Sequence, residues 1–167
     1  MCYYVSVKTN HRQLVEKLDA PFERADEFTE YNLVSGFAHP KLPVLFADKG
    51  LNNEKHIDLF AWGLIPFWVK SWDDAVKLRR QTLNARSEEI LQKPSFRNSV
   101  SNRCVIPVTG FFEWKHIMGI KKVKGVEQET AIDKIPYYIH PKEHEFFYLA
   151  GLYSSWTDPA EKYTHNT

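Results

Sequence analysis

The stretch Arg103-Cys104-Val105-Ile106-Pro107-Val108-Thr109-Gly110-Phe111-Phe112-Glu113-Trp114-Lys115 reads as two strands, Arg103 to Val108 and Gly110 to Lys115, because apolar, β-branched and aromatic residues dominate each. Working outward, Tyr3 to Val7, Tyr137 to His140 and Phe146 to Tyr153 carry the same signature. Val44-Leu45-Phe46-Ala47 and Ile57-Asp58-Leu59-Phe60-Ala61-Trp62 look like a hairpin joined through a polar loop that includes Asp48-Lys49-Gly50. Helical signals are few. Thr9 or Asn10 caps a short helix with Leu14, Val15 and Leu18 on one face, and Ser87-Glu88-Glu89-Ile90-Leu91 suggests a second, with its acids in the first turn where they suit the helix dipole. The segment from Met118 to Lys134 is charged and contains Gly119 and Gly125, which reads as a mobile hairpin loop. The expected class is α+β, predominantly antiparallel strand with a few short helices.

With 167 residues, 43% of them hydrophobic, the chain fits a single domain over 1–167 that buries roughly two thirds of its unfolded surface. A charged content of 26% and an aromatic content of 14% exclude a disordered or low-complexity segment. No apolar run approaches the roughly 18 residues of a membrane span. Met1-Cys2-Tyr3-Tyr4-Val5 gives way at once to Lys8, Asn10, His11 and Arg12, unlike a secretory signal, so an intracellular protein with no membrane partner is expected. Lys plus Arg number 22 and Asp plus Glu 21, a net charge of +1, so any polyanion must be held by a local patch. Cys2 and Cys104 are expected to stay reduced.

Cys2 is the most informative residue for chemistry. Once Met1 is removed, the chain begins with an amine and a thiol on adjacent carbons, with reference pKa values of about 7.7–8.0 and 8.5. The amine condenses with an aldehyde, and the thiol closes on the imine to give a five-membered thiazolidine.

Three further stretches stand beside it: Trp62-Gly63-Leu64-Ile65-Pro66-Phe67-Trp68, Asn84-Ala85-Arg86-Ser87-Glu88, and the strand pair from Arg103 to Trp114. In order and spacing they resemble the motifs of the SOS response-associated peptidase (SRAP) family, with weaker matches at Tyr31-Asn32 and Ala150-Gly151-Leu152-Tyr153. The resemblance runs from Cys2 to about Tyr153. It implies a fold of antiparallel strands curled around a core, either as curled sheets or as a barrel-like body. It also implies a sensor of abasic sites in single-stranded DNA that crosslinks through its N-terminal cysteine, with thiol autopeptidase activity proposed for the family. Carried onto this chain, Cys2 resembles the nucleophile, Asn84 the polar residue beside it and Glu113 the catalytic carboxylate. Opening the sugar and expelling water from the carbinolamine need a proton shuttle, which suits a carboxyl between Phe112 and Trp114. Asn84 donates and accepts at once without a charge that would repel phosphate.

Arg86, two residues from Asn84, would share its side of an extended segment and clamp a phosphate. Lys77, Arg79 and Arg80 add charge upstream, with Lys115, Lys121, Lys122 and Lys124 as a flanking strip. Trp62, Phe67 and Trp68 offer faces for unpaired bases, although core packing is the stronger reading for Trp62. Two departures stand out. The family's opening is Cys-Gly-Arg, whereas Cys2 here precedes Tyr3-Tyr4. The family's His-x-x-Arg-Met-Pro-like segment has no match, since His165 comes too soon after Tyr153, so the chain reads as truncated. The seven histidines show no ligand spacing; His140 and His144 are a helical step apart but interrupted by Pro141, so no metal is expected. No glycine loop suggests a nucleotide cofactor, and none is expected. A monomer acting on abasic single-stranded DNA is the leading expectation. A cysteine peptidase acting on proteins and a non-catalytic single-strand-binding module are the alternatives.

Overall fold

The computed structural model describes residues 2–48 and 53–167, without the side chains of Asp48 and Val123. In chain order the elements are β1 (Tyr4–Val7), α1 (His11–Leu18), β2 (Tyr31–Ser35), β3 (Lys41–Asp48), β4 (Glu54–Ala61), α2 (Trp72–Arg79), β5 (Arg103–Val108), β6 (Gly110–Val123), β7 (Val126–Ile139), β8 (Phe147–Leu152), β9 (Ser155–Thr157) and β10 (Thr164–Asn166). They form two four-stranded sheets, ordered β2-β1-β6-β7 and β4-β3-β5-β8, and a β9–β10 ribbon. The strand pairs are antiparallel. The expected class holds, as open sheets rather than a closed barrel.

One residue joins the sheets. β5 belongs to one sheet and β6 to the other, and only Thr109 lies between them. The Thr109 N–H donates to the Ser6 carbonyl at 2.8 Å, its hydroxyl donates to the Ser6 hydroxyl at 3.0 Å, and it accepts from the Lys8 N–H at 3.1 Å. Ser6 in turn donates to the Tyr31 carbonyl. Ser6 and Thr109 are both buried, so these bonds satisfy groups that would otherwise be costly to bury. Beyond the corner Val5 and Val7 meet Leu42 and Val108 in a shared core.

The helix α1 begins as expected, with Asn10 and Gln13 forming a reciprocal capping box. Leu14 and Leu18 pack on Ile57 and Phe146, but Val15 faces solvent; 100° per residue carries it off the buried stripe. The helix expected at Ser87 to Leu91 is instead a series of turns, with the N–H groups of Gln92 and Lys93 both directed at the Glu89 carbonyl. A helix forms earlier, at α2, where Ser71 accepts from the Asp74 N–H and Asp73 and Asp74 occupy the first turn. Trp156 fills a core with Ile65, Val69 and Ala75 and donates its indole N–H to the Val69 carbonyl.

The expected loop from Met118 to Lys134 is a correction. β6 and β7 stay paired from Phe111↔Ile139 out to Val123↔Val126, turning at Lys124 (φ +50) and Gly125 (φ +83). Successive positive φ values are those of the two-residue hairpin turn whose twist suits the flanking strands. Ile117, Ile120, Thr130, Ile132 and Ile135 supply β propensity, while both faces of the arm meet water, so charged residues interrupt the alternation that marks a half-buried strand. The loop expected at Asp48-Lys49-Gly50 lies, at residues 49 and 50, outside the described residues.

Replacing Thr109 by Val keeps the shape and deletes the hydroxyl. The expected loss is about 1–3 kcal/mol, read as a lower denaturant midpoint with unchanged slope. An unchanged midpoint would remove the corner bonds from the account of stability.

Candidate active site

Cys2, just ahead of β1, lines a cavity of about 420 Å³ bounded largely by the β4-β3-β5-β8 sheet and the segment after α2, with Asn84, Trp62, Thr82, Phe60 and Ile106 among its walls. Cys2 is half-buried, and its thiol donates to the Tyr4 carbonyl at 3.2 Å. The Asn84 side-chain amide donates to the Cys2 carbonyl at 2.9 Å, tying the first described residue to the segment after α2. Asn84 therefore holds the Cys2 backbone rather than its sulfur. Glu113, on β6 next to β1, interacts electrostatically with the thiol. The three expected chemical residues are brought together from three distant parts of the chain.

Burial pushes the Cys2 thiol up from its ordinary pKa; backbone hydrogen bonding at Tyr4 pulls it back, the negative Glu113 adds to the rise, and the Phe112 backbone opposes it. The group rests as a thiol at neutral pH. Cys104 is buried on β5 and pushed up by burial to about 12, so it has no part in this chemistry. Both cysteines are free.

The expected DNA-contacting residues divide. Phe67 and Trp68 are 66% and 44% exposed and present faces to solvent. Trp62 is half-buried, donates its indole N–H to the Leu83 carbonyl at 2.7 Å and packs beside the Val5 and Val7 core, in line with the packing reading. Arg80 is exposed at the end of α2. Arg79 needs correction: it is 7% exposed, its guanidinium lies 3.4 Å from the Trp62 carbonyl, and burial lowers its pKa. It supports the Trp62-Gly63 turn and is not available as a surface phosphate clamp. That turn has room for no side chain, since a Cβ at Gly63 (φ +111) would sit 2.7 Å from the Arg79 carbonyl oxygen. Arg86 is 60% exposed and pairs with Glu89 at 3.8 Å, a contact that water screens to little value.

His165 sits on β10, stacked on Trp72 at 4.7 Å, tilted against Trp156 and edge-on to Tyr163. It does not line the Cys2 cavity. Burial, then Arg79, lowers its pKa, with Asp158 and Glu161 opposing. Thr167, which sequence reading left aside, does reach the cavity: its hydroxyl accepts from the Ile65 N–H at 2.9 Å. The backbone contacts that tune Cys2 were equally silent, because carbonyl and N–H groups carry no side-chain signal. Among the described residues no cluster of three metal-ligating side chains occurs, and no helix is long and apolar enough to cross a membrane.

Known proteins resemble this chain in sequence and in fold. The family model described as SOS response associated peptidase (SRAP) matches residues 1–167. The abasic site processing protein YoaM of Bacillus subtilis is 31% identical over 161 residues, covering 94% of this chain and 61% of YoaM. YoqW of the same organism, also described as an abasic site processing protein, is 39% identical over 111 residues, 66% of this chain and 42% of YoqW. The chain thus spans less than two thirds of the length of these curated relatives. A crystal structure of a protein from Bacteroides thetaiotaomicron superposes with a TM-score of 0.82 at 32% identity, covering 99% of this chain and 66% of that one.

The raised thiol pKa has a direct readout. The thiolate is the reactive form, so at pH 7.5 iodoacetamide is expected to alkylate Cys2 more slowly than a cysteine in an unstructured peptide. Glu113→Gln, which removes a negative charge beside the sulfur, is expected to accelerate it. Alkylation unaffected by Glu113→Gln, with the fold intact, would remove the electrostatic coupling.

Proposed function

Because the chain belongs to the SOS response-associated peptidase family, we propose that it recognises abasic sites in single-stranded DNA and binds them covalently through Cys2 after removal of Met1, which lies outside the described residues. Relatives described as abasic site processing proteins support the substrate. The observation that carries the chemistry is the convergence on Cys2 of Asn84, which shares its cavity and holds its carbonyl, and of Glu113, which acts electrostatically on its thiol.

In this reading the Cys2 amine adds to the aldehyde of the ring-opened sugar, water leaves from the carbinolamine, and sulfur closes on the imine carbon as the thiol gives up its proton and the imine nitrogen takes one up. Glu113 moves the protons. The amine acts first, and the sulfur is needed only once the imine carbon lies beside it. Asn84, by gripping the Cys2 carbonyl, orients both nucleophiles. Phe67 and Trp68 stack neighbouring bases, and Arg80 with Arg86 meets phosphates. His165 stacks on Trp72, away from the Cys2 cavity, and takes no part in this reading.

The test is a denaturing gel of the protein with an abasic single-stranded oligonucleotide. A shifted covalent band is expected, abolished by a retained N-terminal tag, because an amide nitrogen forms no imine. Glu113→Gln is expected to form the band at least about tenfold more slowly with little change in affinity for intact DNA. Tight binding with no band would favour the non-catalytic module, and an undiminished band from the tagged protein would rule out the amine.

A further inference from the structure

We infer that the outer face of the β1–β6–β7 sheet is a second contact surface for single-stranded DNA, a stacking track that takes the nucleotides flanking the Cys2 site. The inference rests on the DNA reading above, and it concerns a face of the fold that the Cys2 cavity does not use.

Side chains alternate across a strand. Val5 is turned into the core between the sheets, with Phe111 packed against it, so Tyr4, Phe112 and Trp114 fall on the opposite face. There the rings pair across strands, Tyr4 with Trp114 at 4.7 Å and Phe112 with Tyr138 at 4.8 Å, and Tyr138 stacks along its own strand on His140 at 5.2 Å. The track begins at Tyr4, two residues from Cys2, whose thiol donates to the Tyr4 carbonyl. It then crosses two strand spacings, roughly 10 Å.

The platform is built rather than incidental. Gly110 lies beneath Tyr138, and a Cβ there would fall 2.3 Å from the tyrosine ring, so the missing side chain is what lets the ring lie down. Tyr138 is 39% exposed. Cations accompany the rings: the Lys8 ammonium lies 5.8 Å from the Tyr138 ring centre, and the exposed Lys134, opposite His116, stands one step beyond Trp114 and Pro136. A polar cleft of about 280 Å³ opens at the far end, with Lys8, Gln13, Tyr138, His140 and His144 on its walls. Its carboxylate, Glu145, is neutralised by Lys17 at 2.8 Å.

Flat rings flanked by positive charge suit a single strand, whose bases stack and whose phosphates need cations. The acidic residues Glu127 and Glu129 lie opposite Lys122 and Ile120 in the distal half of the arm, which confines the track to its base.

The test uses the full chain and fluorescence anisotropy with intact single strands of about four and about twelve nucleotides, alongside crosslinking to a four-nucleotide abasic strand. Tyr138→Ala and Lys8→Ala are each expected to weaken binding of the long strand at least about fivefold, the loss of one stacked base or its cation. Crosslinking of the short strand should keep its rate, and Tyr138→Phe, which keeps the ring, should bind as the unaltered protein does. Unchanged long-strand affinity in Tyr138→Ala would overturn the inference and leave this face to some other partner. An equal loss on long and short strands would also overturn it, marking a structural role for the ring. If the unaltered protein formed no crosslink but long-strand binding still depended on Tyr138, the Cys2 reading would fail and the track would stand.

Discussion

The corner at Thr109 is the constraint on which the rest depends. One residue carries the chain from β5 in one sheet to β6 in the other, and its N–H and hydroxyl bind Ser6. That fixes β1 beside β6 in the register Val5↔Phe111 and Ser6↔Gly110. Everything of chemical interest follows from this register. Glu113 stands two residues beyond Phe111, Cys2 lies three residues before Val5, and their proximity is thereby imposed. The same register sends Tyr4, Phe112 and Trp114 to the outer face and leaves Gly110 as the floor for Tyr138.

The second anchor is Asn84, whose bond to the Cys2 carbonyl draws the start of the chain onto a segment far away in sequence. A chain terminus is ordinarily loose, and a nucleophile there would pay a large orientational penalty. Held at the carbonyl by Asn84 and at the thiol by Tyr4, Cys2 is positioned, in the proposed chemistry, without losing the amine that acts first. The electrostatics around it are restrained. The net charge is +1, Arg79 is buried under the Trp62 turn, and Arg86 shares its charge with Glu89. In the proposed DNA reading, affinity for a polyanion then leans on aromatic faces, with a small number of exposed cations to place the backbone.

Much of this was legible in the sequence. The strands from Arg103 to Lys115, the opening strand and the α1 cap were readable because their patterning and capping chemistry are local, and Cys2, Asn84 and Glu113 were named from motif resemblance. What escaped has physical reasons. The arm from β6 to β7 looked like a loop because water wets both its faces, and neither face demands the alternation that reveals a strand. α2 hid behind its basic run, although Ser71 and Asp74 carried a capping signal. Arg79 read as a surface cation because one-dimensional charge counting does not register the turn of Trp62 and Gly63 that covers it. Ser87 to Leu91 had the right acids for a helix start, but no apolar stripe long enough to propagate one.

The central claim is that Cys2 acts amine first and sulfur second, and the measurement that meets it most directly is the adduct formed by Cys2→Ser with Met1 removed. The amine survives, while the hydroxyl is far too weak a nucleophile to close on the imine. With abasic single-stranded DNA the account expects little heat-stable adduct from this variant on its own and a covalent band once borohydride reduces the trapped imine, whereas the unaltered protein gives its band without reductant. A heat-stable band from Cys2→Ser equal to that of the unaltered protein, or no band even with borohydride while DNA binding and a free N-terminus are confirmed, would contradict it.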